Sequence, residues 1–147
     1  MQETDILFIV DTSGSMDQYI NAVQSALTLF SAHYSDDEVI QWALAVGPVN
    51  DIADREMLFL RTNLVPFDQF LLSLVGVQEL DGGADEMLYD AIYLSIRNLV
   101  GALPAAVFSW TGDVASSPAI PNWRINWRPD AHHVVIAFSD EQGQTYM

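Results

Sequence analysis

The stretch Ile6-Leu7-Phe8-Ile9-Val10-Asp11-Thr12-Ser13-Gly14-Ser15 decides how this chain is read. Five consecutive apolar residues read as a strand buried on both faces. An aspartate and two serines alternate directly after it. Thr12 and Gly14 let the turn fold so that the side chains of Asp11, Ser13 and Ser15 converge. Such a cluster offers hard oxygens with one formal charge, which suits a small hard cation that keeps part of its water. The competing local reading is a helix N-cap, with Ser13 or Ser15 capping a helix that begins near Asp17. Each residue taken alone favours the cap. The whole Asp-x-Ser-x-Ser cluster behind a hydrophobic strand favours a metal.

Downstream, Ile20, Val23, Leu27, Phe30 and Tyr34 recur at spacings of three and four, predicting an amphipathic helix over about residues 17–35. Residues 39–46 read as a second strand stopped by Gly47-Pro48, and Met57 to Leu60 as a short third one. Pro66 opens a helix whose Phe67, Phe70, Leu71 and Leu74 form a core face. A further helix is predicted over 86–100, with Leu88, Ile92, Ile96 and Leu99 inward. Val134 to Phe138 is a fully apolar strand. Alternating strands and helices, with two continuous apolar strands, imply an α/β fold whose parallel sheet is covered on both faces. Asp11 and Asp140 then fall at the C-terminal ends of the two most buried strands, the edge at which open α/β sheets bind ligands.

The pattern breaks between about 102 and 130, where Pro104, Gly112, Pro118 and Pro121 punctuate a segment holding Trp110, Trp123 and Trp127. That segment carries a tandem tetrapeptide, Asn122-Trp123-Arg124 followed by the related Asn126-Trp127-Arg128. It reads as an irregular insertion. Either its tryptophans pack it onto the body while its arginines offset nearby acids, or it is an interface for a partner or glycan. The first reading is preferred. His132 and His133 are neighbours on a strand and point to opposite faces, so they do not share a metal. One is expected to be partly buried and the other solvated.

The 147 residues suffice for one domain, and half of them are hydrophobic, enough for a core. The net charge of −15 and the absence of lysine disfavour nucleic acid and anionic membranes as partners. No lysine also means no P-loop and no Schiff base. No apolar run approaches the ~20 residues that span a bilayer, so direct membrane insertion is not expected. No cysteine is present, which suits a cytoplasmic or an exported bacterial protein. Met1 stands directly before the first strand, which suggests an excised piece whose native leader or anchor lies outside it.

The segment Asp5 to Met16, with "FIVDTSGSM", resembles the start of a von Willebrand factor A domain with its metal-ion-dependent adhesion site. "LDGGADEMLYDAI" is similar to that family's Gly-rich loop and following helix, and "HHVVIAFSDEQ" to the strand that ends in its last metal aspartate, here Asp140. The resemblance covers nearly the whole chain and implies a Rossmann-like, mostly parallel sheet flanked by helices on both faces. It also implies a single domain over 1–147 with Ser13 and Ser15 as direct ligands. Asp11 and Asp140 would hydrogen-bond the serine hydroxyls or metal-bound water. In the loop the chain departs from the family pattern, because Ala84 stands where many members carry a coordinating Thr. Asp85 is the candidate ligand there: it is the first oxygen-bearing side chain after Gly82 and Gly83, whose backbones are free to approach the metal.

The metal set is thus Asp11, Ser13, Ser15, Asp85 and Asp140, and the implied ion is Mg²⁺, with Mn²⁺ or Ca²⁺ as substitutes. The implied function is non-enzymatic: a binding or adhesion module whose metal takes a carboxylate from a partner protein. If Asp85 coordinates, its extra charge weakens the pull on that partner. The alternatives are an assembly or structural subunit, like the A-type domains of metal chelatases and pilus tips, and a Mg²⁺-dependent phosphatase. A haloacid-dehalogenase-like phosphatase needs a second Asp where Ser13 stands and a lysine that the chain lacks. A serine hydrolase needs a Gly-x-Ser-x-Gly elbow that is also missing. An extracellular, cell-surface or periplasmic setting is expected, with the cytoplasm as the alternative.

A-type domains extend their sheet beyond the strand that ends in the last metal aspartate, whereas here only residues 141–147 follow. The expectation is that C-terminal strands are missing and that a second polypeptide completes the sheet. The rival is a minimal domain that covers this edge with its own 102–130 segment.

Overall fold

The computed structural model describes residues 2–50, 56–77, 88–97, 113–116 and 125–140. In chain order these form β1 (Thr4–Asp11), a 3₁₀ turn (Gly14–Met16), α1 (Asp17–Ala32), β2 (Ile40–Asn50), β3 (Glu56–Val65), α2 (Phe67–Leu74), α3 (Leu88–Arg97), β4 (Asp113–Ser116) and β5 (His132–Phe138). The fold is α/β, built on an open, mixed sheet in the order β4-β3-β2-β1-β5. β1 runs parallel to both β2 and β5, and β3 runs parallel to β4. β2 and β3 are antiparallel.

The apolar run of β1 occupies the middle of this sheet because its side chains alternate between two cores. Ile6, Phe8 and Val10 enter one cluster with Trp42, Leu44 and Val46 of β2, Ile20 and Leu27 of α1, and Phe70 and Leu74 of α2. Phe8 is its hub. Its ring stacks on Trp42 at 6.1 Å and meets Phe70 at 5.6 Å, Phe30 at 5.9 Å and Phe138 at 6.4 Å. Leu7 and Ile9 enter a second cluster with Ala43, Ala45, Leu60, Ala91 of α3 and Ile125, against which Ile92 and Trp127 pack.

Element boundaries differ from the sequence reading in physically legible ways. α1 ends at Ala32, and Tyr34 lies in the turn that follows. β2 continues through Gly47-Pro48 to Asn50, with a register shift against β3 between Val46 and Val49 that absorbs the proline. β3 extends to Val65, well past Leu60, because pairing with β2 holds its polar second half. On α3 the inward face includes Ile92, as expected, but Ile96 faces outward and two small residues face in. Ala91 and Ser95 are buried, Ile92 is partly buried, and Ile96 is 64% exposed. Trp127 Nε1 donates to the Ser95 carbonyl at 3.2 Å, which ties the helix to the 125–131 segment. Leu99 lies outside the described residues.

Within the span read as irregular, residues 113–116 form β4. From the same span Ile125 is fully buried, and Trp127 stacks on His133 at 4.5 Å. Trp110, Trp123 and Arg124 lie outside the described residues. His132 and His133 are both exposed, so neither is the partly buried residue expected.

At the edge of the sheet where β1 begins, Arg128 makes a clasp. Its backbone N–H and its Nε each donate to Asp5, both at 2.7 Å, and one terminal guanidinium nitrogen (Nη2) donates to the carbonyls of Thr4 at 3.0 Å and Val39 at 2.7 Å. The other terminal nitrogen lies 3.4 Å from Glu3. Asp5 is completely buried, so the fork satisfies a charge that water does not reach. Among the described residues no helix is long and apolar enough to cross a membrane.

Candidate metal site

The strand order places β1 where the sheet changes direction: β2, β3 and β4 build outward on one side of it and β5 lies on the other. A crevice at the C-terminal ends of strands arises at such a point. The paired register of β1 and β5 ends at Val10–Phe138, while Asp11 still pairs with Gly47 of β2, so Asp11 closes β1 at the same edge at which Ser139 and Asp140 follow β5.

Asp11 is 3% exposed. Its Oδ1 accepts the Ser13 backbone N–H at 2.9 Å, an Asx turn that reverses the chain immediately after the strand. Thr12 is buried, and its N–H donates to the Gly47 carbonyl at 3.2 Å, which ties the turn to the neighbouring strand. The turn then tightens into the 3₁₀ segment, with the Met16 N–H donating to the Ser13 carbonyl at 3.0 Å.

Two serine hydroxyls meet above this turn. Ser13 Oγ and Ser15 Oγ are 3.2 Å apart, and Ser15 Oγ donates to Asp140 Oδ1 at 3.0 Å. Ser13 is buried, whereas Ser15 and Asp140 are exposed, so the cluster has a protected floor and an open rim. Asp11, Ser13, Ser15 and Asp140 are therefore brought together. Asp85 lies outside the described residues.

The N-cap alternative fares poorly. Ser13, which precedes the 3₁₀ turn, makes no side-chain capping bond, and the residue that precedes α1 is Met16, which has none to offer. The hydroxyls turn toward each other and toward Asp140 instead of toward the helix N–H groups.

The donor set suits a hard cation. Octahedral Mg²⁺ with bonds of about 2.0–2.1 Å holds adjacent ligands about 2.9 Å apart, and the serine oxygens lie within a few tenths of an ångström of that spacing. Among the described residues no three His, Cys, Asp or Glu side chains gather into a metal-holding group. The two aspartates and two serines offer only hard oxygen donors, the ligand type that suits magnesium, calcium or manganese.

Sequence reasoning missed Ser139. Its Oγ donates to Asp11 Oδ2 at 2.6 Å, a distance within the charge-assisted range. The available signal was slight: a hydroxyl residue directly before the aspartate that ends the strand.

No protein-family model matches the chain, and no curated protein matches it.

Proposed function

We propose that this chain is a von Willebrand factor A-type domain, Rossmann-like with a helical layer on each face of the sheet. In this reading its hydroxyl–carboxylate cluster holds Mg²⁺ for the binding of a partner protein. One observation carries the reading: Asp11, Ser13 and Ser15 meet Asp140, 125 residues after Ser15, in one hydrogen-bonded cluster at the strand-order reversal. Ser13 and Ser15 are the direct ligands, Asp85 is the loop ligand, and Asp11 and Asp140 orient the hydroxyls. The bound ion supplies positive charge that the neutral serines do not cancel, which draws a carboxylate of the partner. The exposed rim at Ser15 and Asp140 gives that carboxylate a way in. In this reading the role is binding, not catalysis.

The same reading assigns a second protein contact to β5. Among the described residues β5 pairs with β1 alone, and Val134 to Phe138 are only half-buried. An apolar edge of this kind accepts a further strand, supplied in this proposal by another polypeptide.

Calorimetric titration with Mg²⁺ or Mn²⁺ tests the metal site. One binding event is expected, abolished by Asp11→Ala while the far-ultraviolet circular dichroism is retained. Unchanged binding in that variant removes the assignment.

A further inference from the structure

We propose that Ser139 is a positioning residue for the metal cluster, holding the Asp11 carboxylate in the orientation that aims the Ser13–Ser15 turn. This rests on the metal reading above and goes beyond it, because Ser139 belongs to none of the ligand positions.

The argument starts from the burial of Asp11. A carboxylate that is 3% exposed needs hydrogen-bond partners on both oxygens in place of the water it has lost. The Ser13 N–H serves Oδ1 from within the turn, and Ser139 Oγ serves Oδ2 from just past the neighbouring strand. Two donors from different segments fix both side-chain torsions of Asp11, which one donor cannot do. The ladder explains why Ser139 is the residue that reaches. Val10 pairs with Phe138, so the residue just past β5 stands beside Asp11. Asp140 follows immediately and takes the Ser15 hydroxyl. The dipeptide Ser139-Asp140 therefore grips the turn at both ends, one residue by donating and the other by accepting.

Partners that orient the groups around a metal influence its affinity without touching it; their loss costs about 10–100-fold. Removing the Ser139 hydroxyl leaves Oδ2 without this donor and frees the carboxylate to rotate away from the turn.

The test is a Mn²⁺ titration of the full chain, followed by calorimetry and by the electron paramagnetic resonance of the free ion, on the parent, Ser139→Ala and Ser139→Thr. Metal-free thermal melts are run in parallel. Ser139→Ala is expected to bind Mn²⁺ about tenfold more weakly or worse. Ser139→Thr, which keeps the hydroxyl, restores the parent affinity. If Ser139→Ala does not fold, Ser139→Cys takes its place, nearly the same in size but a weak donor. Equal affinity in the parent and the hydroxyl-free variant overturns the proposal while leaving the metal site standing. A threonine variant as weak as the alanine one overturns it too, since bulk and not the hydroxyl would then be at issue. A parent chain that binds no Mn²⁺ removes the metal reading itself and this inference with it.

Discussion

Replacing Arg128 with alanine strips a completely buried carboxylate of its charged partner. Asp5 is 0% exposed, and Arg128 Nε is the donor to its Oδ1. The backbone N–H of residue 128 survives the substitution and still serves Oδ2. What is lost is the guanidinium at 2.7 Å and the two bonds it makes to the Thr4 and Val39 carbonyls. Removing one member of a buried pair typically costs about 3–5 kcal/mol, because the remaining charge is stranded. An exposed pair is worth about 0–1 kcal/mol. With 26% of its side chain exposed, Arg128 leans on the edge of the pair, but Asp5 sets the penalty, so the higher range applies. At about 2–4 °C per kcal/mol for a chain of this size, the melting temperature falls on the order of 10 °C. The assay is urea and thermal unfolding of the parent, Arg128→Ala and Arg128→Lys. Lysine restores charge without the planar fork and recovers only part of the loss. A loss below about 1 kcal/mol for alanine, the range of an exposed pair, or full rescue by lysine, refutes the account of a buried, geometry-dependent clasp.

Gly76 follows α2 with φ at +76°, and a Cβ built there meets nothing within 4 Å. Gly76→Ala is expected to cost about 1–2 kcal/mol from the left-handed backbone alone, measured by urea unfolding; a neutral result shows that the turn relaxes. Asp85→Ala is expected to weaken Mg²⁺ binding in calorimetry, and parent-like affinity removes Asp85 as the loop ligand. For the β5 edge, size-exclusion chromatography with light scattering is expected to show self-association of the isolated chain. A cooperatively melting monomer counts against a strand supplied by another polypeptide.

What the sequence made legible is local in origin. The apolar run of β1 shows in five consecutive residues, and the turn chemistry of Asp11 to Ser15 lies within the same short stretch, so neither depends on the rest of the chain. Asp140 was legible from its place at the end of an apolar strand together with the resemblance to the A-type strand that ends in the last metal aspartate. Ser139 and the Asp5–Arg128 clasp were not, since both are partnerships across more than 120 residues with no local signature. On α3, Ile92 was read correctly, but Ile96 was placed inward and Ala91 and Ser95 were missed, because hydrophobic periodicity favours the isoleucine over the small residues. β4 was hidden by prolines and glycine around it that read as loop.

The pairing of β1 with β5 also has a temporal meaning. Thr4 and His132 are opposite one another in the sheet yet 128 positions apart in the chain. Contacts of such separation form late and slow folding, because the entropy of closing a long loop is lost before the contact returns anything. Asp11 to Ser15 can fold their turn early, but Ser139 and Asp140 reach it only when the last described strand docks. If the proposed cation needs both segments, a half-folded chain cannot capture it. In stopped-flow refolding, uptake of the proposed cation should follow the slowest phase and serve as a signal that Ser139 and Asp140 have reached the Asp11–Ser15 turn.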